Sequence, residues 1–456
     1  MRDLDRIIKA YDVRGVVPDE FDAEVARRIG AAFVAVLADD GQRPAGIVVG
    51  HDMRPSGTDL VAAFTEGVTS QGCDVVSIGL ASTDQLYFAS GRLQLAGAMF
   101  TASHNPAQYN GIKLCRAGAS PVGQESGLRR IRELADRDLP AYDGEPGRLT
   151  HRDLLDDYAT YLKELVDLSS SRELVVVVDA GNGMGGHTVP AVLQGLPLQV
   201  VPLYFELDGT FPNHEANPID PDNLRDLQAE VLARGADLGL AFDGDADRCF
   251  VVDERGGVVD PSTLTALIAA RELGKHPGAT IIHNLITSRA VPEIVTELGG
   301  VPVRTRVGHS FIKATMAQTG AVFGGEHSGH FYFRDFWRAD SGMLAALHVL
   351  AALGETPAGT GLSDLLAPYQ RYVASGEVNS VVADTAAATA RVRSRFATGC
   401  EVDDLDGMTV SGPDWWFNLR PSNTEPLLRL NVEAADVATM TTLRDHVLAV
   451  VREGSS

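Results

Sequence analysis

LAGAMFTASHNP, residues 95–106, joins an apolar run to a short polar loop. The apolar run is typical of a buried β-strand, and Asn-Pro breaks regular structure directly after it. Ser103 therefore stands at the carboxyl edge of the predicted strand, where the side chains of an open α/β sheet face a crevice. Ser, Asn and Pro also favour turns and helix caps, so by itself such a stretch is more often an ordinary turn. Ser103 is the candidate reacting residue, and its partners decide between the two interpretations.

The serine loop ends a series of predicted elements in the order strand, helix, strand, connecting segment and strand. The same order recurs twice more in the first three quarters of the chain. In the first copy, Leu60, Phe64 and Val68 recur at helical spacing between the first two strands. The second copy ends in DGDADR, residues 243–248, and the third in GEHSGH, residues 325–330. The predicted strands are 46–50, 73–79, 95–100, 174–178, 198–204, 238–242, 279–283, 301–307 and 321–323.

Three polar loops at equivalent strand ends predict three α/β domains whose strand ends converge on one cleft. The last part of the chain has a different order: a strand near 372–382, a helix over 385–396, strands on either side of Trp415-Trp416, and a helix over 436–452. We therefore predict an α/β protein with three similar mixed-sheet α/β domains and a smaller C-terminal α+β domain around a central cleft. The predicted domains are residues 1–150, 151–255, 256–366 and 367–456.

The composition is that of a soluble globular chain. Its 456 residues are 45% hydrophobic and 22% charged, which allows several cores. A formal charge of −22 argues against binding to nucleic acid or to an anionic membrane, because the far field of the protein repels polyanions. The cysteines are sparse and form no CxxC pair, residues 1–6 are rich in charged side chains, and no apolar stretch is long enough to span a bilayer. These features predict a cytoplasmic protein.

Asp243, Asp245 and Asp247 alternate, so on an extended segment their carboxylates point the same way and can meet on a hard cation such as Mg²⁺. An EF-hand calcium loop is disfavoured, because Arg248 stands where that loop needs glycine and residues 249–252 are typical of a strand. A solvated turn is the simpler alternative. Three carboxylates so close together repel one another unless a cation binds them, which favours the metal loop.

Gly181, Gly183 and Gly186 follow the predicted strand 174–178 and fit the dinucleotide-binding motif GxGxxG, with Glu206 about 20 residues further on. An NAD-dependent oxidoreductase is therefore an enzyme alternative. Glycines also let any strand turn tightly into its helix, and this alternative leaves the serine loop unexplained.

RPSNTEP, residues 420–426, presents a guanidinium, two hydroxyls, an amide and loop N–H groups, the donors that a phosphate dianion accepts. Glu326 and Ser328 offer an acceptor and a hydroxyl suited to sugar hydroxyls. Each of these loops is also typical of a capped turn, and a single histidine is more often structural than catalytic. The candidate proton shuttles are His104, Lys113 and His309.

The loops together resemble those of the α-D-phosphohexomutase family, in its bacterial phosphomannomutase/phosphoglucomutase branch. The resemblance rests on TASHNP, DGDADR, GEHSGH and RPSNTEP, which occur in the family's order and spacing along nearly the whole chain, and on KAYDVRG at residues 9–15. One such motif is weak, but four in order are specific. The resemblance implies four domains around a central cleft.

The resemblance also implies roles for individual residues. The phosphoserine is expected at Ser103, and Mg²⁺ is expected on Asp243, Asp245 and Asp247 together with the Ser103 phosphate. Several members of the family carry lysine where this chain has Ile286, which puts a sugar contact at that position in doubt. The expected catalytic residues are Ser103, Arg14, His104, Lys113, Arg248 and His309. The expected substrate contacts are Tyr11, Glu326, Ser328, Arg420, Ser422, Asn423 and Thr424.

The reaction that the resemblance implies is the interconversion of mannose 6-phosphate and mannose 1-phosphate through a phosphoserine enzyme and a 1,6-bisphosphate, with glucose phosphates as second substrates. Phosphoserine carries about −1.5 to −2 charges at neutral pH, so a sugar hydroxyl attacks it only where a metal and cations screen that charge. Mg²⁺ is the expected cofactor, hexose 1,6-bisphosphate the expected activator, and hexose phosphates the expected partners of a monomer or homodimer.

Four alternatives remain open at this point. Phosphoglucomutase and phosphoglucosamine mutase are the near ones, and Asn423 stands where the glucosamine-phosphate enzymes usually have glycine. The remote ones are the NAD-dependent oxidoreductase and a metal-dependent sugar-binding protein without catalytic activity.

Overall fold

The computed structural model describes two compact units. The first consists of Met1–Val259 and Ser328–Leu365, and the second of Asp260–His327 and Leu366–Ser456. Among the helices of the described residues, none combines the length and the apolar character that crossing a bilayer requires. The described residues are 3–39, 44–137, 139–140, 142–421 and 427–453, with the side chains of His309 and Ser310 left aside.

The first unit opens with a mixed sheet. In this sheet the parallel strands of the interior are followed by an antiparallel return strand, and the serine loop lies at that return. The elements are β1 (Val13–Val16), α1 (Ala23–Ala38), β2 (Ile47–His51), α2 (Gly57–Ser70), β3 (Val75–Leu80), α3 (Thr83–Leu93), β4 (Ala96–Phe100), β5 (Tyr109–Arg116), β6 (Ser120–Pro121), α4 (Arg129–Ala135) and β7 (Leu149–His151). The strand order is β1-β5-β4-β2-β3-β7, with β6 paired to β5.

A second mixed sheet follows. Its strand β10 runs parallel to β8 and is followed by the antiparallel β11, so the carboxylate loop, residues 243–248, stands at the same kind of return as the serine loop. Its elements are α5 (Leu155–Leu165), β8 (Leu174–Asp179), α6 (Gly185–Leu193), β9 (Leu198–Leu203), α7 (Arg225–Arg234), β10 (Leu238–Phe242), β11 (Cys249–Asp253) and β12 (Val258–Val259). The strand order is β12-β11-β10-β8-β9.

The third segment divides between the two units. In the second unit, β13 pairs in parallel with both β14 and β15. In the first unit, β16 and β17 form an antiparallel pair, and every residue of the helix after them is buried, which suits a helix that is apolar on all faces. The elements are α8 (Pro261–Lys275), β13 (Thr280–Asn284), α9 (Ala290–Glu297), β14 (Val301–Thr305), α10 (His309–Thr319), β15 (Phe323–Gly325), β16 (Phe331–Phe333), β17 (Ala339–Asp340) and α11 (Gly342–Gly354).

The last part of the second unit is an antiparallel sheet with order β18-β22-β21-β20-β19, covered by two helices that pack on its apolar face. The edge strand β18 alternates between exposed and less exposed residues, which is typical of a sheet with one face in the core, whereas β21 and β22 are buried along most of their length. The helix α12 (Leu362–Leu366) ends the first unit, with only its last residue in the second. The elements after it are β18 (Val373–Val381), α13 (Thr385–Phe396), β19 (Glu401–Asp403), β20 (Met408–Ser411), β21 (Trp415–Pro421), β22 (Leu427–Ala434) and α14 (Val437–Val451).

The predicted fold class is confirmed, and each strand predicted in the three α/β copies is present with ends displaced by two residues at most. One local prediction is wrong: Trp415 and Trp416 do not separate two strands but begin β21. Aromatic residues pack well on a pleated surface, and Trp415 stacks on Phe417 with ring centroids 6.2 Å apart.

An ion pair ties the long connection after β9 to the end of β8. His214 Nε2 lies 3.0 Å from Asp179 Oδ2, and Asp179 is buried. Burial alone would lower the pKa of His214, but Asp179, the Glu215 carbonyl and Asp226 together raise it above its ordinary value. The imidazolium is therefore favoured in the folded protein.

His214→Gln tests this ion pair. Because the folded-state pKa of His214 is raised, the pair stabilises the fold below the unfolded pKa of about 6.5, and this stability is lost as pH rises through the folded pKa. We expect His214→Gln to lower the melting temperature more at about pH 6 than at about pH 9. His446→Gln, at an exposed helical position, is the control and should show no such difference. A loss that is the same at both pH values would contradict the ion pair.

Candidate active site

Ser103 lies in the loop between β4 and β5, and its hydroxyl faces the carboxylate loop. Its backbone is in the left-handed region, with φ of 50°, a conformation that a non-glycine residue holds where its surroundings fix it. Its amide donates a 2.8 Å hydrogen bond to Thr101 Oγ1. Its Oγ donates to Asp243 Oδ2 at 2.8 Å and lies 3.1 Å from His104 Nδ1. The predicted reacting hydroxyl is therefore buried and held against a carboxylate.

Arg54 holds the serine loop in this conformation. Its side chain is buried between β2 and α2, where Nε donates to Asp52 Oδ2 at 3.2 Å. Each of the two terminal nitrogens donates to two backbone carbonyls of the loop, so all five N–H groups of the guanidinium have partners. The four carbonyls belong to Ser103, Asn105, Pro106 and Tyr109, at 2.6 to 2.9 Å. The sequence alone did not reveal this arginine, because HDMRPSG resembles an ordinary polar turn.

Asp243, Asp245 and Asp247 are all buried in the loop between β10 and β11. One oxygen of each lies within 4.8 Å of the others, as the alternation predicted. Gly244 lets this loop approach the serine loop, because a Cβ there would lie 2.4 Å from the Ser103 carbonyl oxygen. The two loops are therefore in direct contact through their backbones.

Two basic side chains face the three carboxylates. Lys113 Nζ donates to Asp245 Oδ2 at 2.7 Å and to Asp247 Oδ2 at 2.5 Å. Arg248 Nε donates to Asp243 Oδ2 at 2.9 Å. Within the part of the chain that the structure describes, the other oxygens of Asp245 and Asp247 are buried without a hydrogen-bond partner. A buried anionic oxygen without a partner is costly, so these residues fit a divalent cation.

Burial and neighbouring charges shift the pKa values of these groups in different directions. Burial raises the pKa of Asp243 to about 7, against the opposing charge of Arg248. Burial also acts on Asp245 and Lys113, but their mutual attraction prevails, so the pKa of Asp245 is lowered and that of Lys113 is raised. Burial, followed by the charge of Arg248, lowers the pKa of His104 well below its ordinary value. The imidazole beside Ser103 is therefore uncharged at neutral pH.

Arg14 reaches the serine loop from β1. Its two terminal nitrogens donate at 2.5 Å to Asn105 Oδ1 and to Asp12 Oδ2. Its Nε is buried and has no hydrogen-bond partner among the described residues. Tyr11, three residues earlier, is half-buried. The predicted catalytic residues that the structure brings together are Ser103, His104, Lys113, Arg248 and, through Asn105, Arg14.

His330 was not among the predicted site residues, although it ends the GEHSGH loop. Its Nδ1 lies 3.1 Å from Asp340 Oδ2 and 3.9 Å from Asp247 Oδ1. Burial opposes the charge of the ring, but Asp247 and then Asp340 raise the pKa of His330 above its ordinary value. The antiparallel pairing of β16 and β17 creates this contact, and the sequence pattern did not show that pairing.

The other predicted site residues for which the structure gives positions do not belong to the carboxylate cluster described above. Glu326 is buried directly after β15 in the second unit, and Ser328 is half-buried in the first. In the second unit, Arg420 Nη2 donates to Glu377 Oε2 at 2.9 Å. Ser422, Asn423 and Thr424, and the side chain of His309, lie outside the described residues.

Ile286 is buried in an apolar cluster with Leu285 and Trp416, all in the second unit. The departure from lysine at this position therefore has a packing reason. The side chain contributes to the contact between the third α/β segment and β21.

Among the glycines of GxGxxG, Gly183 serves the carboxylate loop. A Cβ at Gly183 would lie 2.7 Å from the Gly244 carbonyl oxygen, and that oxygen accepts a 2.9 Å hydrogen bond from the Met184 amide. The Asn182 amide donates to the Tyr204 carbonyl. Protein carbonyls thus satisfy amides that a dinucleotide pyrophosphate would need, which disfavours the oxidoreductase alternative.

A buried serine hydroxyl against a carboxylate cluster that fits a divalent cation, on a mainly α/β scaffold, is typical of a phosphotransferase. The chain belongs to the phosphoglucomutase/phosphomannomutase family of α-D-phosphohexomutases, and the predicted family is confirmed. The family's profiles for α/β/α domains I, II and III match residues 5–139, 156–257 and 260–372, and its C-terminal domain matches residues 377–450.

Individual relatives agree with this assignment. The chain is 42% identical to the phosphohexose mutases of Xanthomonas campestris, covering 97% of this chain and 98% of the relative. It is 40% identical to the phosphomannomutase of Escherichia coli, with the same two coverages. A phosphoglucomutase/phosphomannomutase family protein from Burkholderia thailandensis shares its structure with a TM-score of 0.88 at 34% identity, covering 99% of this chain and 98% of that one.

A more distant structure shares the fold. The N-acetylphosphoglucosamine mutase of Aspergillus fumigatus, solved with GlcNAc-6P and magnesium, has a TM-score of 0.65 at 16% identity, covering 98% of this chain and 96% of that one.

Arg54→Lys tests the clamp on the serine loop. The ammonium group of lysine has three donors on a single nitrogen, so it cannot reproduce the hydrogen bonds of the planar guanidinium to the four carbonyls. Ser103 should therefore shift from its place. We expect mutase kcat to fall by about 10- to 100-fold with KM nearly unchanged, because a displacement of about 1 Å at a reacting atom has a cost of that size. Arg27→Lys, on the exposed face of α1 beside Glu24, is the matched control. An Arg54→Lys variant with wild-type kcat would contradict the clamp.

Proposed function

We propose that the protein is a phosphomannomutase, which interconverts mannose 6-phosphate and mannose 1-phosphate through phosphoserine at Ser103 and a 1,6-bisphosphate. The observation that carries this proposal is the 2.8 Å hydrogen bond from Ser103 Oγ to Asp243 Oδ2, within the buried carboxylate cluster. The names of the relatives, phosphomannomutase among them, support the choice of mannose. We also propose that the chain divides into four domains, at residues 1–150, 151–255, 256–366 and 367–456.

Mg²⁺ is the proposed cofactor. Asp243, Asp245 and Asp247 would hold it, together with an oxygen of the Ser103 phosphate. The unpartnered buried oxygens of Asp245 and Asp247 support this assignment. When bound, the cation would neutralise the charge of the phosphoryl group and stabilise the charge that develops during transfer.

The protein's own groups handle the rest of the transfer. The sugar hydroxyl transfers its proton to the uncharged His104 ring as its oxygen bonds to phosphorus, and the bond between phosphorus and Ser103 Oγ breaks. Ser103 Oγ then takes up a proton from the imidazolium formed in this way, whose Nδ1 lies 3.1 Å away. Lys113 and Arg248 keep their positive charges because the carboxylates pair with them, so they favour the dianionic phosphoryl group at this site.

The second half-reaction repeats the first in reverse. The 1,6-bisphosphate turns over, its other phosphate reaches Ser103, and hexose 1,6-bisphosphate from solution can prime the dephosphorylated enzyme as activator. By the family resemblance, Arg14, Tyr11 and His309 serve the reacting end, and Glu326 and Ser328 bind sugar hydroxyls. The residues proposed to hold the phosphate that is not reacting are Arg420, Ser422, Asn423 and Thr424. We further propose cytoplasmic activity on small hexose phosphates, as a monomer or homodimer.

Ser103→Ala tests the phosphoserine. We expect intact-mass spectrometry to find one added phosphate on the wild-type protein after incubation with hexose 1,6-bisphosphate, and none on the variant. Mutase activity should fall by at least about 10³-fold, because the nucleophile of the transfer is removed. Ser120→Ala, at an exposed serine of β6, is the matched control. A Ser103→Ala protein that keeps most of its activity would overturn the mechanism.

A comparison of kcat/KM tests the choice of sugar. Mannose, glucose and glucosamine 1-phosphates would be compared on one preparation. We expect the highest value for mannose 1-phosphate, a lower one for glucose 1-phosphate and the lowest for glucosamine 1-phosphate. A reversed order would assign the chain to one of the other mutases while leaving the phosphoserine mechanism in place.

Metal removal tests the role of the carboxylates. Activity should vanish in excess chelator and return on addition of Mg²⁺, because the buried carboxylates then regain their cation. Asp245→Asn should retain less than about 1% of activity at any Mg²⁺ concentration. Asp237→Asn, which alters an ion pair with Arg172 at the opposite end of β10 from the carboxylate loop, is the control for a change of charge alone. Full activity in chelator would exclude a metal from the reaction.

A further inference from the structure

We infer that Thr83 is a positioning residue for the metal-binding carboxylate Asp245, an inference that rests on the metal-dependent function proposed above. Thr83 is the first residue of α3, which follows a strand of the first sheet, whereas Asp245 lies in the carboxylate loop of the second sheet. Its Oγ1 donates to Asp245 Oδ2 at 2.6 Å. Its amide donates to the Asp245 carbonyl at 2.9 Å. One residue therefore holds both the main chain and the side chain of Asp245.

These contacts decide which oxygen of Asp245 faces a cation. Oδ2 accepts hydrogen bonds from Thr83 and from Lys113, which occupy both of its in-plane lone pairs. Oδ1 is buried and has no hydrogen-bond partner among the described residues. A cation in the cluster therefore meets Asp245 through Oδ1 alone, as a ligand of one oxygen with a fixed direction.

The position of Thr83 is itself fixed by a buried hydrogen-bond network around the next residue, Asp84. Three hydroxyls from three parts of the first unit donate to the Asp84 carboxylate. Burial raises the pKa of Asp84 to about 6, against the effect of these hydroxyls. The donors are Ser82 at 2.5 Å, Tyr158 of α5 at 2.7 Å and Ser341, which caps α11, at 2.6 Å.

This arrangement has a consequence for metal selectivity. Mg²⁺ and Mn²⁺ accept octahedral sites built from single carboxylate oxygens, whereas Ca²⁺ also accepts a carboxylate through both oxygens. Without the Thr83 hydroxyl, Oδ2 keeps only Lys113 and the carboxylate is free to rotate. The cluster should then bind small divalent cations less tightly and discriminate less against Ca²⁺.

Thr83→Val removes the hydroxyl and keeps the shape of the side chain, and Thr83→Ser keeps the hydroxyl. We would measure binding of Mn²⁺ alone by electron paramagnetic resonance, with the phosphorylation state of every sample matched by intact mass. Loss of an outer-shell partner of a metal ligand costs about 10- to 100-fold in affinity, and we expect a loss of that size in Thr83→Val. Thr83→Ser should stay within about threefold of the wild type. Competition with Ca²⁺ should show a smaller preference for Mn²⁺ in Thr83→Val.

Thr188→Val is the matched control, because Thr188 is equally buried and donates its hydroxyl to the carbonyl of Met184, the residue that precedes α6. It should bind Mn²⁺ as the wild type does. In activity assays, Thr83→Val should need more Mg²⁺ for half-maximal rate but recover kcat at saturating Mg²⁺, a split that general misfolding does not produce. If thermal denaturation shows that Thr83→Val is unfolded, Thr83→Ala replaces it, with the same expected loss.

The outcomes separate this inference from the proposed function. If the wild type binds Mn²⁺ and Thr83→Val binds it within about twofold, the positioning role is wrong and the metal site stands. If the wild type itself does not bind Mn²⁺, the metal site fails and the inference fails with it. If Thr83→Ser loses as much affinity as Thr83→Val, the hydroxyl is not what positions Asp245, and the inference is overturned.

Discussion

Three carboxylates buried within 4.8 Å of one another are the constraint on which the rest of the site depends. Buried like charges repel strongly, so such a cluster persists only where cations and hydrogen-bond donors face it. Lys113 and Arg248 provide the cations, and Ser103 provides a hydroxyl to the same oxygen of Asp243 that Arg248 contacts. The reacting serine is thus one of the donors that the carboxylates require.

The supports of the cluster come from well-separated parts of the first unit. Arg54 orders the serine loop through its four carbonyls, and Thr83 orders Asp245 through two hydrogen bonds. Gly244 lets the two loops touch at their backbones. Because each support is buried and satisfied, the site is held by a hydrogen-bond network and not by a single strong contact. These hydrogen bonds fix loops at the ends of strands, which suits a reaction that depends on placing a phosphoryl group.

The sequence predicted the strands and the polar loops, because buried parallel strands are apolar runs and the loops end them abruptly. It also predicted that Asp243, Asp245 and Asp247 meet. It did not reveal Arg54 or His330, since each becomes significant only through a partner far along the chain, the carbonyls of the serine loop in one case and Asp247 in the other. Pattern alone does not encode such pairings. Trp415 and Trp416 were misplaced because a pair of large aromatic residues fits a strand as well as the turn beside it.

The central claim is that Ser103 carries the phosphoryl group between substrate and product, and transfer of a labelled phosphate measures it most directly. Enzyme labelled with ³²P on Ser103 would be mixed with unlabelled mannose 6-phosphate in a rapid-quench instrument. We expect the label to leave the protein and appear in hexose 1,6-bisphosphate, and then in hexose phosphate, at a rate at least equal to kcat. Label that stays on the protein while mannose 1-phosphate forms would contradict the account.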